Sequence, residues 1–256
     1  MSALSDVQVY VARQETRAVR WRRQIFRTLI RQIPMRWVRL TVKGAENIPD
    51  DGPLIVMINH ISALDPGLMM GIVTNRFVIP MTKIENTRFF LGRLIVWWWD
   101  AYTVRRGEVD RQALTNSIEL LKSGQCLLIS PEGTRSHNGL QQPKEGMTYI
   151  ATKADATIIP AAIAGAIGWK EKWLRLQRPH LEVTFGRPFK FKTEGKRVPR
   201  EDLTAMTDEA MYQLAIALPD EKLRGAYADL SKATVRFLEF INTNEPEKEQ
   251  HHINKA

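Results

Sequence analysis

Short apolar runs of strand length alternate along this chain with longer stretches of helical period, and that alternation restricts the fold more than any other feature. The runs at residues 37 to 42, 54 to 58, 77 to 80, 101 to 104, 126 to 129, 157 to 163 and 181 to 185 read as strands. Helical patterns fill 66 to 74, 86 to 98, 109 to 122, 145 to 153, 201 to 216 and 221 to 240. Strands interleaved with helices favour crossover connections, so the expected fold is α/β, with a mostly parallel central sheet flanked by helices. In such sheets chemistry collects where strands end and helices begin. With 256 residues, 44% of them hydrophobic, the chain can bury one sizeable core, and one domain is the default.

The net charge of +9 is unevenly placed. Residues 1 to 43 hold ten basic side chains against Asp6 and Glu15, a net of +8. On a helical wheel Ala18, Val19, Ile25, Phe26, Leu29, Ile30 and Ile33 fall on one side. Arg13, Arg17, Arg20, Arg27 and Arg31 fall opposite, with Arg22 out of place. Such a basic amphipathic arm suits a packed surface helix, a nucleic acid or an anionic membrane surface. The membrane reading is preferred, because Met35, Trp37, Val38 and Leu40 extend the apolar-plus-basic character beyond Pro34 and supply an interfacial tryptophan. No nucleic-acid partner is expected.

No stretch reaches the ~18 apolar residues of a membrane span, since the apolar run Leu94 to Trp99 is bounded by Arg93 and Asp100. Nor does the N-terminus show the apolar segment of a cleaved signal. The expected location is therefore the cytoplasmic face of a membrane, peripheral or monotopic. Trp97, Trp98 and Trp99 cannot all face one way in a helix, so at least one is expected at a core or interfacial edge. The lone Cys126 excludes an internal disulfide. From Asn242 the chain is polar and lacks core residues, including the adjacent His251 and His252. The expected organisation is an arm over 1 to 43, a catalytic domain over 44 to 241 and a disordered tail over 242 to 256.

His60 follows the apolar run 54 to 58 directly, and Asp65 comes five residues later, just before Pro66. Asp65-Pro66 makes a good helix start by itself. At the carboxyl end of a strand, however, a histidine can project over the sheet while an aspartate one turn later folds back onto its ring. The carboxylate then fixes the tautomer and stabilises the imidazolium, leaving the other nitrogen to take a proton. Such a base needs no serine or cysteine nucleophile when the substrate supplies its own hydroxyl.

Two further segments, Val104 to Arg111 and Ser130 to Ser136, each place arginine and glycine directly after an expected strand. Backbone N–H groups and a guanidinium in a strand-to-helix loop can hold a phosphate. Either loop alone would pass for a solvated turn, but two of them beside His60 point to one site.

With these blocks in order, the chain resembles the glycerolipid acyltransferases, the PlsC-like family of lysophosphatidic acid acyltransferases. Asn59, His60, Ser62 and Asp65 match its N-H-x-S-x-x-D block, Arg106-Gly107 its second block, Glu132-Gly133-Thr134-Arg135 its E-G-T-R block, and Ile158-Ile159-Pro160-Ala161 its apolar-proline block. The resemblance covers roughly residues 44 to 240 and departs from the family at Arg105, where many members carry an acidic residue.

The resemblance implies that His60 deprotonates the acceptor hydroxyl and that Asp65 orients it. Arg105, Arg106, Glu132, Gly133, Thr134 and Arg135 would bind the acceptor's phosphate and glycerol, and Pro160 would shape the acyl tunnel or the sheet edge. The donor would be an acyl thioester of acyl carrier protein or coenzyme A, the acceptor a membrane lipid with lysophosphatidic acid leading, and no metal or other cofactor would be required. Another lysolipid, a glycolipid or an aminolipid is the alternative acceptor. A peripheral lipid-binding protein without catalysis is the alternative of a different class.

Overall fold

The computed structural model describes residues 6–32, 34–83, 90–104, 111–193 and 198–242. A nine-stranded sheet runs through the molecule. Its main path is β1 (Arg39–Lys43), β7 (His180–Phe185), β6 (Thr157–Ala164), β2 (Leu54–Ile58), β5 (Cys126–Ile129), β3 (Val78–Lys83) and β4 (Tyr102–Val104). Neighbours along this path are parallel except β6 and β7. Off the path, β8 (Phe189–Phe191) pairs antiparallel with β6, and β9 (Leu238–Phe240) with β8. The expected mostly parallel α/β sheet is therefore present.

The continuous apolar runs exist because both faces of the sheet are covered. Every residue of β2 is buried, and its side chains alternate between two cores. Ile55 and Met57 join Leu127, Ile129 and Ile158 on one face, under α5 (Arg111–Lys122), α6 (Gly146–Ala154) and α8 (Arg200–Ala217). Leu54, Val56 and Ile58 join Cys126, Leu128 and Ile159 on the other, under α3 (Asp65–Ile72). Burial pushes the Cys126 thiol up to about 12, so it serves as a core side chain.

Helix was expected over 221 to 240, but the chain there forms three short 3-10 turns and then β9. Gly225, at φ +49°, lies so near Leu140 that a Cβ would sit 2.3 Å from the Leu140 carbonyl oxygen. That left-handed backbone stops a helix. The buried Glu209 carboxylate on α8 then accepts from the Arg236 and Phe237 N–H groups, both at 2.8 Å, and directs the chain into β9.

The basic arm forms two helices, α1 (Asp6–Gln14) and α2 (Arg17–Gln32), with α1 against α5 and α2 against α3 and α4 (Phe90–Trp99). The wheel placed Arg27 opposite the apolar side, whereas Arg27 and Arg23 are both buried. Arg27 donates to the carbonyl of Thr74 at 2.8 Å and to that of Arg76. Arg23 donates to the Trp99 carbonyl at 2.7 Å and to Gln14 Oε1. Both guanidiniums lie near the Phe77 ring. A buried arginine succeeds here because carbonyls at the ends of neighbouring elements take its donors. Ala18 and Leu29, on the apolar side of the wheel, are exposed.

The three tryptophans divide as the helical argument required. Trp99 is fully buried and donates its indole N–H to the Val78 carbonyl at 2.7 Å. Trp98 stacks on Phe26, while Trp97 stands 58% exposed with the Arg22 guanidinium over its ring. Among the described residues no helix is long and apolar enough to cross a membrane.

Candidate active site

The site is built where β2 ends. Asn59 continues the line of β2 but bonds through its side chain: Nδ2 donates to the Ile163 carbonyl at 2.8 Å, and Oδ1 accepts from the Ile163 N–H at 2.7 Å. This buried amide ties the residue before His60 to β6.

His60 Nδ1 lies 2.8 Å from Asp65 Oδ2. Asp65 is the first residue of α3, and the helix receives no side-chain cap bond. Its carboxylate turns back instead. Oδ2 accepts from the N–H groups of Ile61 and Ser62, both at 2.8 Å, and Oδ1 accepts from the Ser62 hydroxyl at 2.9 Å. The Ser62 Oγ in turn accepts from the Leu64 N–H at 3.0 Å. Asp65 is wholly buried, while the His60 side chain keeps 21% exposure. With Nδ1 directed at that carboxylate, the ring's Nε2 is the nitrogen left for a substrate.

The 130 to 136 loop leaves β5, the neighbour of β2 on the side away from β6. The Ser136 N–H donates to the His60 carbonyl at 2.8 Å, and the Ser136 hydroxyl closes the loop onto the Gly139 carbonyl at 2.7 Å. Gly133 takes φ +68°, a left-handed conformation that turns the loop between Glu132 and Thr134. Glu132 is buried beside His60 and accepts from the Gln141 N–H at 3.0 Å. Burial pushes its carboxyl above the usual value, an effect opposed by the backbone N–H groups of Gln141 and His60. Thr134 and Arg135 are exposed, so the Arg135 guanidinium is open to an anion from solvent.

The structure thus brings His60, Asp65, Glu132 and Gly133 together at the carboxyl edge of β2 and β5. Arg105, Arg106 and Gly107 lie outside the described residues. Pro160 is buried inside β6, where that strand's partner changes from β8 at Ile158 to β7 at Ala161. That is a place where a missing N–H costs least. Among the described residues no group of three or more His, Cys, Asp and Glu side chains is arranged to hold a metal ion. Reading the sequence did not single out Asn59 and Ser136 as scaffold. Their residue types allow such bonds, but the partners, Ile163 and the His60 carbonyl, are set by how the strands pair.

Comparison with known proteins is consistent with this arrangement. Residues 39–164 match the Acyltransferase family model. The chain is 32% identical over 136 residues to 1-acyl-sn-glycerol-3-phosphate acyltransferase alpha of Homo sapiens, covering 50% of this chain and 46% of that protein. It is 29% identical over 129 residues to 1-acyl-sn-glycerol-3-phosphate acyltransferase of Borreliella burgdorferi, covering 49% and 51%. Its matched segment thus spans about half the length of these curated relatives. The crystal structure of PlsC, the 1-acyl-sn-glycerophosphate acyltransferase of Thermotoga maritima, shares the fold with a TM-score of 0.59 at 24% identity, over 79% of this chain and 84% of that one.

Proposed function

Because this chain belongs to the PlsC-like acyltransferase family, we propose that it transfers a fatty acyl group from an acyl thioester to the free hydroxyl of lysophosphatidic acid, forming phosphatidic acid. The observation that carries the reading is the His60–Asp65 pair, with the carboxylate buried under backbone donors and the imidazole left partly open. His60 Nε2 takes the proton from the acceptor hydroxyl as its oxygen bonds to the thioester carbonyl carbon. The carbon–sulfur bond of the tetrahedral adduct then breaks, and the imidazolium returns the proton to the leaving thiolate. Asp65 stabilises the imidazolium between the two steps. Arg135 and the 105 to 107 segment hold the acceptor's phosphate, while Glu132 fixes the loop beside His60.

The donor is carried by acyl carrier protein or coenzyme A. These charged carriers do not cross a bilayer, which puts the reaction at the cytoplasmic face of the membrane that holds the acceptor. Support for membrane contact comes from the outer side of α2, where Ala18, Trp21 and Leu29 are exposed and Arg17, Arg20 and Arg31 are exposed beside them.

The test is to give purified protein a panel of lysolipids, including lysophosphatidic acid and lyso forms of aminolipids, with an acyl thioester, and to identify products by mass. Phosphatidic acid as the main product is expected, and Arg135→Ala should raise the KM for the acceptor much more than that for the donor. Acylation of an uncharged or aminolipid acceptor in preference would replace the proposed substrate. No acylation of any lysolipid would leave a binding protein.

A further inference from the structure

The connection from β6 to β7 carries a feature that the catalytic reading does not use. It contains α7 (Trp169–Leu174), and at and just past its end Leu174 and Leu176 are 86% and 82% exposed, the two most exposed large apolar side chains among the described residues. Leu176 also holds φ +55°, a left-handed conformation that a leucine adopts at a cost. The left-handed turn closes α7, with the Leu176 N–H donating to the Trp173 carbonyl at 2.9 Å and the Gln177 N–H to the Lys172 carbonyl at 2.8 Å, but the exposed leucine side chains recover nothing within the fold. Ile167, 39% exposed, lies at the other end of the same connection.

The base of the segment is firmly set. Trp173 packs on the sheet core with Met35 and Val38, and Trp169 meets it edge to face at 4.8 Å between centroids. Arg178 donates to the Val38 carbonyl at 3.1 Å, which ties the segment to the chain just past Trp37, itself 57% exposed. The leucines therefore stand on an anchored turn. Lys170, Lys172, Arg175 and Arg178 flank them in sequence, with Glu171 the single acid of the connection. Their place in the fold matters as much. β6 leaves the sheet at the edge where β2 presents His60, and its Ile163 is the residue bonded by Asn59.

We propose that the β6–β7 connection is a second lipid contact, in which Leu174 and Leu176 enter an anionic bilayer while Lys170, Lys172 and Arg175 lie at its phosphates. This rests on the reading that the acceptor is a membrane lipid. A bilayer fits better than a protein partner because the leucines project from a turn rather than line a groove, and projecting apolar side chains rimmed by cations need no shape-matched surface. The contact would hold the His60 edge against the membrane, so an acceptor reaches the base without leaving the lipid.

The experiment uses the full chain with a polarity-sensitive dye at Leu174→Cys, and at Asp51→Cys as a control before β2 on the opposite edge. Cys126 is buried and does not compete for the dye. With phosphatidylcholine–phosphatidylglycerol vesicles, the dye at 174 should shift to the blue and the dye at 51 should not. Leu174→Asp with Leu176→Asp should weaken vesicle partition by at least ~10-fold while leaving turnover of a short-chain soluble acceptor unchanged. A chain that floats with vesicles while the 174 dye stays unshifted overturns this contact and leaves the lipid reading standing. A shift produced by acyl carrier protein and not by vesicles overturns it in favour of a protein partner. Absence of both flotation and lysolipid acylation removes the functional reading and this contact with it.

Discussion

Asn59 and Ile163 are joined by two hydrogen bonds, side chain to backbone in both directions, at 2.8 and 2.7 Å. They hold the residue before His60 against β6, beyond the last paired residues of the strands, Ile58 and Ala161. Asn59→Ala should leave a buried N–H and a buried C=O unpaired, costing about 1–3 kcal/mol for each group left unsatisfied. Because the imidazole would lose its register, kcat should fall with little change in either KM. Urea unfolding and steady-state kinetics on the same variant check both parts. Wild-type turnover at reduced stability would make Asn59 a packing residue alone.

Removing the base has a larger expected effect. His60→Ala should lower turnover by at least ~10²-fold at near wild-type stability, since the ring is partly exposed. Asp65→Asn is a finer probe, because an amide can keep its oxygen towards the Ile61 and Ser62 N–H groups and turn its nitrogen to the Ser62 hydroxyl. The variant should fold and still lose turnover, through loss of the charge facing the imidazolium. Thermal melts and product formation measured together separate these effects.

Glu132 makes stability depend on pH in a predictable sense. Its carboxyl is raised in the fold above the ordinary 4.5, so the folded state holds a proton that the unfolded chain releases first. That contribution is fully present below 4.5 and is lost as pH rises through the folded value. Glu132→Gln removes the titration, so the variant should gain on the wild type as pH increases from 4.5 upward. Denaturant midpoints of the two proteins across that range provide the measurement. A constant difference would show that Glu132 does not titrate differently in the fold.

The arginines of α2 should separate into two classes. Arg23→Gln or Arg27→Gln leaves the Trp99, Thr74 or Arg76 carbonyls short of donors and should destabilise the fold by about 1–3 kcal/mol. Removing residues 1 to 36 altogether should be worse, because it uncovers Phe77 and Trp99. Changing the exposed Arg17, Arg20 and Arg31 to Gln should leave thermal stability unaltered and weaken flotation with anionic vesicles at low salt only. Melting curves and flotation at two salt concentrations distinguish the classes.

Much of this protein could be read from its sequence because the signals are local. β2 and β5 begin and end where their apolar runs do, since strands covered on both faces need unbroken apolar residues. His60 and Asp65 were legible as a pair because a strand end and one tight turn bring residues five apart together without help from the rest of the fold. Pairing across the fold decided the remainder. Helical period located the arginine-rich arm, but only the carbonyls of Trp99, Thr74 and Arg76 determined that Arg23 and Arg27 would turn inward while Leu29 stayed outside. Composition over 221 to 240 permits a helix. The backbone contact between Gly225 and Leu140, with Glu209 capturing two N–H groups, makes turns and a strand the lower-energy course there. Periodicity measures an average preference for one face, whereas the partner of a buried donor is a single atom supplied by a distant segment, and its position exists only once the chain has folded.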